Sequence, residues 1–200
     1  MKKMVVLMTF IGCVSLSAYD PAHLKKALEE KECLGCDLRG ANLSKMDFSG
    51  CDFHGSNLSG ADLRGSVFEM GDFNDCNLSK AYAAGAIFWK GSMERSDMRG
   101  IRARGANFKG AHLNQSDLSR ADIRGAKMWK ADFTDAILSQ TDLRGSEIGG
   151  ATFLRNDLRT TNLKNTVLWQ SSFREVKMTK AQCEHAKKEE AILEAQKQCR

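Results

Sequence analysis

The chain between residues 36 and 65 reads CDLRG-ANLSK-MDFSG-CDFHG-SNLSG-ADLRG, in blocks of five residues with one shared pattern. The third residue of each of these blocks is Leu or Phe. The five-residue repeat continues without insertion or deletion to residue 180. Every block centre from Leu38 to Met178 is apolar. A helix repeats every ~3.6 residues and a strand every ~2, so this period fits neither. A different architecture must align the apolar residues.

A unit this short cannot bury its own apolar residue, so neighbouring units must stack. Four blocks make about twenty residues, enough for one turn of a four-sided tube. The centre and the residue two positions before it, usually Ala, Ser, Cys or Thr, then point inward, and the other three form the outer wall. Turns stacked at the strand spacing of ~4.8 Å hydrogen-bond along the tube. Residues 36–180 are therefore predicted to form an all-β solenoid of about seven turns.

Individual blocks also carry a family resemblance. Ala61-Asp62-Leu63-Arg64-Gly65 and Ala131-Asp132-Phe133-Thr134-Asp135 resemble the A-(D/N)-L-X-X pattern of pentapeptide-repeat proteins. The resemblance covers residues 36–180 in one register and implies the right-handed quadrilateral β-helix of that family. It implies little about function, because the repeats are the scaffold.

The flanks of the repeat are predicted to cover the open ends of the tube, where sheet edge and core would otherwise be exposed. Asp20-Pro21 is a typical N-cap and first-turn pair, which predicts a short helix in an N-terminal cap over residues 19–35. Residues 179–198 are rich in helix formers and predict a C-terminal helical cap over residues 181–200. The sequence leaves the oligomeric state open, although two capped ends favour a monomer.

The N-terminus has the features of an export signal. Lys2 and Lys3 precede an apolar stretch, Met4 to Leu16, which ends in small residues. It is too short to span a membrane stably, so residues 1–18 are predicted to be a cleaved signal peptide, with no transmembrane span in the mature chain. Phe10-Ile11-Gly12-Cys13 also resembles a lipoprotein box in which Cys13 is lipidated. A periplasmic or secreted protein and a membrane-anchored lipoprotein both stay open.

The remaining cysteines fall into three pairs. The start Cys33-Leu34-Gly35-Cys36 resembles that of exported family members, and a structural disulfide between its two cysteines is expected, with free thiols as the alternative. Cys51 and Cys76 occupy the inward position before a centre and are expected to be buried as small hydrophobes. Cys183 and Cys199 would lie ~24 Å apart on one straight helix, so they can pair only if the tail folds back.

Residues twenty apart are predicted to share one side of the tube, which gives coordinates for the outer wall. One column reads Ser49, Glu69, Trp89, Lys109, Trp129, Gly149, Trp169 and holds all three tryptophans of the chain. The adjacent column reads Ser44, Arg64, Ala84, Arg104, Arg124, Arg144, Lys164. The candidate partner-binding strip comprises Trp89, Trp129, Trp169, Arg104, Arg124, Arg144, Lys109 and Lys130.

Exposed Trp beside Arg is the composition of interface hot spots, and a basic ladder favours an anionic partner. An alternative explains the column without function. The spacing would then record duplication of a forty-residue unit, with each tryptophan folded over its neighbours.

The chain has no G-x-S-x-G, H-E-x-x-H or phosphate-loop motif, and no histidine has a partner at a motif spacing. We therefore expect no enzyme, cofactor or metal site. A net charge of +5 is too small to require a nucleic-acid partner, and the export signal argues against one. The expected function is a non-enzymatic exported scaffold or binding protein of the periplasm or cell envelope, whose partner is an unidentified protein or anionic envelope component. The alternatives are a secreted effector acting on a host cell and a DNA-mimicking gyrase protector, which the basic charge and export signal disfavour.

Overall fold

The computed structural model describes residues 19–194. Its backbone bridges are parallel and join the residue just before a block centre to the one twenty positions later, as in Asp62 with Tyr82 and Tyr82 with Arg102. Near the C-terminus the bridges lengthen into a three-stranded parallel sheet in the order β1-β2-β3, formed by β1 (Thr152–Leu154), β2 (Ser172–Arg174) and β3 (Ile192–Leu193). The register of twenty predicted from the sequence is therefore the register of the fold.

Backbone groups are satisfied from turn to turn, as a stack of short units requires. The N–H of Leu63 donates to the carbonyl of Tyr82 at 2.7 Å, and the N–H of Asp62 donates to the carbonyl of Ala41 at 2.9 Å. The last residue of nearly every block turns the corner at positive φ, +66° at Gly65 and +53° at Lys90. Thr160 is also the last residue of a block, but its φ is not positive, because a β-branched side chain is strained in that conformation.

The core confirms the assignment of inward positions. Every block centre from Leu38 to Met178 is buried, and of the residues two positions before a centre only Met46 is not. Phenylalanines twenty apart stack ring on ring. Phe48, Phe68, Phe88 and Phe108 form one ladder, with centroids 5.4, 5.2 and 5.0 Å apart. Buried hydroxyls are paired, and that of Ser66 donates to the carbonyl of Leu43 at 2.6 Å.

A helix lies before the tube. It is α1 (Pro21–Glu30), whose first turn is capped by the Asp20 carboxylate, which accepts from the N–H of Ala22 at 2.8 Å. The N–H of Asp37 donates to Nδ1 of His23 at 3.0 Å, which ties the helix to the first turn. A disulfide between Cys33 and Cys36 lies at the same junction.

The C-terminal segment differs from its prediction. The helix predicted over residues 179–198 is α2 (Lys180–Lys188), which begins with a capping box between Thr179 and Gln182 and ends before Glu190, where φ is +56°. The chain then turns back, and β3 pairs with β2. The helix propensity of the residues after Lys188 is overridden, because the edge of β2 would be open if β3 did not pair with it.

The tail's cysteines are only partly within the described residues. Cys183 is buried and disulfide-bonded. Its candidate partner Cys199 lies outside the described residues, as do the predicted signal peptide over residues 1–18 and the candidate lipidation site Cys13. Between residues 19 and 194, no helix is long and apolar enough to cross a bilayer.

One wall of the tube is interrupted near this end. The buried amide of Asn156 donates to the carbonyls of Phe133 and Ala136, each at 2.8 Å. The Asn156 side chain thereby occupies the carbonyl of Ala136. In other blocks the carbonyl at this position accepts a hydrogen bond from a backbone N–H of the next turn, as that of Ala41 does from Asp62. No bridge joins Ile137 to Asp157, in contrast to the other turns of the described tube.

Candidate functional site

The three tryptophans lie on one side of the tube, which we call the tryptophan face. It is the wall over the centres Phe48, Phe68, Phe88, Phe108, Met128, Ile148 and Leu168. The ring of Trp129 lies flat across Gly149, where an added Cβ would be 2.2 Å from the Cζ3 atom of the indole. Trp129 and Trp169 therefore approach to 6.4 Å between ring centroids, closer than the ~10 Å of two turns.

Hydrogen bonding and neighbouring charge hold these rings in place. The Nε1–H of Trp129 donates to the carboxylate of Glu147 at 2.9 Å, and the ring is half-buried. Trp169 is 45% exposed and forms the open end of the pair. Trp89 stands apart, with the ammonium of Lys90 4.6 Å from its ring centroid, a cation–π contact. The column thus contains one packed indole pair and one single indole.

Other apolar side chains extend this surface. Met70 is 61% exposed and Val167 38% exposed, both on the tryptophan face, and Val67 and Ile87 are half-buried there. The described part of the tube therefore carries an apolar strip along this wall. Exposed apolar strips on soluble domains commonly mark contact surfaces.

The neighbouring arginine face, the wall over the centres from Leu43 to Leu163, is charge-paired. Arg64 and Arg144 each grip the aspartate two residues earlier, with shortest distances of 2.6 Å. Arg104 donates to Asp122 at 2.7 Å, and Arg124 contacts Asp122 at 2.8 Å and Asp142 at 3.6 Å. The column of Arg104, Arg124 and Arg144 therefore alternates with carboxylates, so its field is weaker than that of a bare basic ladder.

The sequence alone indicates that Asp122 and Asp142 lie between the stacked arginines, but not that an arginine pairs with the aspartate two residues earlier in its own block. The signal was present as a recurrent Asp-x-Arg within single blocks, for example Asp62-Leu63-Arg64. Lys109 and Lys130, on the tryptophan face, have no carboxylate partner among residues 19–194. Of the cations in the candidate strip, Lys109 and Lys130 are thus the two that no described carboxylate neutralises.

The repeat profile decides the family. The pentapeptide repeat family matches residues 32–69, 104–140 and 157–193 with eight copies, together more than half of the chain. The chain belongs to the pentapeptide repeat family. Its members fold as right-handed β-helices, and the parallel bridges at a spacing of twenty fit that fold.

Several solved pentapeptide repeat structures are similar. HetL, involved in heterocyst differentiation regulation in the cyanobacterium Nostoc sp. strain PCC 7120, is 20% identical, with 78% of this chain and 84% of that chain covered and a TM-score of 0.37. QnrB1, a plasmid-mediated fluoroquinolone resistance protein, is 23% identical, with coverages of 74% and 94% and a TM-score of 0.43. Rfr23 from the cyanobacterium Cyanothece 51142 is 19% identical, with coverages of 86% and 98% and a TM-score of 0.33. No curated protein matches significantly.

The free thiols of this pentapeptide repeat protein are poor nucleophiles. Cys51 and Cys76 are buried, and the Cys76 thiol donates to the carbonyl of Phe53 at 2.8 Å. Burial raises the pKa of Cys51 and raises that of Cys76 to about 12, so both stay protonated at neutral pH. His54 and His112 are exposed on the outer wall. Within the described residues, no three metal-ligating side chains cluster.

The aspartate–arginine pairs predict acid sensitivity. Hydrogen bonds from Arg64, Arg99 and Arg144 lower the pKa of Asp62, Asp97 and Asp142 respectively. The unfolded chain therefore binds more protons than the folded one in acid, so this stabilisation is present above about pH 4 and is lost as pH falls through the folded pKa values. We expect a thermal midpoint that is flat from about pH 7 to 5 and falls below about pH 4.

Circular dichroism melts across this range measure the effect. An Asp62→Asn and Asp142→Asn double variant should lose less stability on acidification than the wild type, because two of the titrating pairs are gone. A wild-type midpoint that rises between about pH 4 and 2 would contradict the sign.

Proposed function

We propose that this pentapeptide repeat protein is a non-enzymatic binding scaffold that docks a partner on its tryptophan face. The observation that carries the proposal is the contact of Trp129 with Trp169 across Gly149. Two indoles 6.4 Å apart, one of them 45% exposed, form an apolar platform within the apolar strip of this wall. Tryptophan-rich platforms of this kind are typical hot spots.

Pre-organisation supports this role. Glu147 and the Gly149 backbone fix the Trp129 ring before any partner arrives, so little side-chain freedom is lost on binding. The unpaired ammonium groups of Lys109 and Lys130 lie on the same wall. They favour a partner that combines an apolar or aromatic group with negative charge, such as an acidic protein segment or an anionic envelope component.

We place the scaffold in the periplasm or at the cell envelope. The signal-like sequence over residues 1–18 and a Cys33–Cys36 disulfide both suit an exported protein. Cell fractionation with mass measurement of the mature N-terminus tests this placement, and a globomycin-type inhibitor separates a lipoprotein modified at Cys13 from a simply cleaved protein. A full-length protein confined to the cytosol would refute export, and recovery from the medium or a host cell would favour an effector.

Removing the indole platform should abolish docking. We expect Trp129→Ala with Trp169→Ala to weaken partner capture more than tenfold, because hot-spot truncations typically cost ~2 kcal/mol or more. The measurement is quantitative affinity capture from an envelope extract, followed by direct titration with the captured partner.

Tyr82→Ala on the arginine face is the matched control, because Tyr82 is 42% exposed and Trp169 45%. It should retain every partner that the wild type retains. If the double variant captures the same partners with the same affinity as the Tyr82→Ala protein, the docking role of the tryptophan face is wrong.

A further inference from the structure

We propose that a second wall of the tube, independent of the tryptophan face, binds a phosphate-bearing anion. This wall lies over the centres Leu38, Leu58, Leu78, Met98, Leu118, Leu138 and Leu158, and we call it the serine face. A groove of about 620 Å³ runs along it. The lining residues that matter are Lys80, Arg99, Gly100, Ser119, Arg120 and Ser139.

Arg120 is unlike the other described arginines. Between residues 19 and 194, every other arginine contacts a carboxylate or, for Arg102, the ring of Tyr82. Arg120 has no side-chain partner within this range. An exposed guanidinium without a carboxylate beside it keeps its full positive charge and all its donors for a ligand.

The repeat explains why Arg120 is unpaired. Arg95 and Arg155 occupy the same final position of their blocks, and each grips an aspartate twenty residues earlier, Asp75 and Asp135. The residue twenty before Arg120 is Gly100, and the residue twenty after it is Gln140. Because neither carries a charge, the column offers Arg120 no internal counter-ion.

Gly100 also leaves space for a second cation. An added Cβ at Gly100 would lie 3.9 Å from Cγ of Lys80, so the lysine side chain extends over the glycine towards the turn of Arg120. Lys80 has no carboxylate partner in the described part of the chain either. Lys80 and Arg120, neither of them paired with a carboxylate, therefore face one open site from the turns before and after Gly100.

The nearest acids do not cancel this charge. The Nε–H and Nη2–H groups of Arg99 donate to the two carboxylate oxygens of Asp97 at 2.8 and 2.6 Å, and Asp117 lies 3.9 Å from the same guanidinium. Neither aspartate lines the groove. Arg99 is thus neutralised by Asp97, and Asp117 offsets one of the two charges of Lys80 and Arg120, so the surroundings of the groove keep a net positive charge.

Phosphate is the ligand chemistry that these groups fit. A guanidinium donates in parallel to two oxygens of one phosphate, and an ammonium contacts a third as a point charge. The hydroxyls of Ser119 and Ser139 make no hydrogen bond to other described residues and can donate to the same anion. The groove is larger than a phosphate ion, so it has room for the organic part of a phosphoester such as a lipid headgroup.

Titration of the full mature protein with inorganic phosphate at low ionic strength tests the proposal by NMR. The Nε–H resonance of Arg120 is observed in the wild type, and the backbone amide resonances of the lining residues Gly100 and Ser119 are observed in the wild type and in every variant. We expect saturable shifts at Arg120, and binding about ten- to hundredfold weaker in Arg120→Ala and in Lys80→Ala, because hydrogen bonds to charged groups contribute that much. Arg144→Ala, which removes a carboxylate-paired arginine from another wall, should bind like the wild type.

A parallel arm separates free phosphate from lipid. Vesicles of phosphatidylglycerol in phosphatidylcholine should be bound in preference to pure phosphatidylcholine if the natural ligand is a headgroup, and Arg120→Ala should remove the preference. Binding in either arm that depends on Arg120 or Lys80 supports the site. Absence of binding in both arms, or binding that Arg144→Ala weakens as much as Arg120→Ala, overturns it.

Discussion

Leu118→Asp is expected to unfold the turns around it, whereas Ser119→Asp should leave the fold intact. Leu118 is a block centre with 1% of its surface exposed, and Ser119 is half-exposed on the outer wall. Losing the leucine contacts costs ~2–5 kcal/mol, and an unpaired carboxylate in an apolar interior adds several more. The sum approaches the whole stability of a typical domain, ~5–15 kcal/mol.

Thermal and denaturant unfolding of the two variants measures this difference. Ser119→Asp should stay within about 0.5 kcal/mol of the wild type, as surface changes usually do. The same variant places a carboxylate in the serine-face groove, so it should retain the fold and lose phosphate binding. Equal midpoints for Leu118→Asp and Ser119→Asp would mean that the inward and outward positions are assigned incorrectly.

The inward positions could be predicted from the sequence because the five-residue repeat has no insertion or deletion. Once the period fixes which residue of a block faces the bore, burial of a distant centre such as Met178 follows without any further information. The common column of Trp89, Trp129 and Trp169 follows in the same way, since a spacing of twenty is a property of the backbone. Periodicity thus determined the position of each residue on the tube.

Side-chain direction could not be predicted in this way. The ring of Trp129 turns over Gly149 because that residue has no side chain. The order of residues in the sequence does not show this direction. On the arginine face, Arg64, Arg124 and Arg144 turn back onto the aspartates of their own blocks, whereas Arg104 reaches an aspartate of the next turn. The groove between Lys80 and Arg120 exists because Gly100 separates them.

Residues that depart from the repeat pattern also limited what could be predicted from the sequence. Asn156 stands where small residues are usual, and Thr160 stands where glycine or a long polar residue turns the corner. Together they interrupt one wall, and the Gln140 N–H donates to the Thr160 hydroxyl at 3.1 Å instead of a backbone carbonyl. The tail shows the same limit, because local helix propensity in residues 189–194 yields to the open edge of β2.

Phe153→Ala should be the most damaging simple truncation in the C-terminal half. The Phe153 ring is stacked between Phe133 and Phe173, with centroid distances of 4.9 and 4.8 Å and nearly parallel planes. Its removal leaves a cavity that the flanking rings cannot fill, because each is held by its own turn. The expected loss is ~3–5 kcal/mol. Phe153→Leu should cost less than about 1.5 kcal/mol, since leucine is the commonest centre and preserves most of the volume.

The location of the damage distinguishes a stacked array from a single cooperative core. In an array, each turn is stabilised only by its neighbours, so a cavity at Phe153 should destabilise β1, β2 and the adjoining turns more than the ladder around Phe68. Hydrogen exchange of the Phe153→Ala protein should therefore show lost amide protection near residues 133–178 and near-native protection near residues 48–88. The interrupted wall at Asn156 reinforces this direction, because the affected turns already lack one bridge between Ile137 and Asp157. Uniform loss of protection along the tube, or equal midpoints for Phe153→Ala and Phe153→Leu, would contradict this prediction.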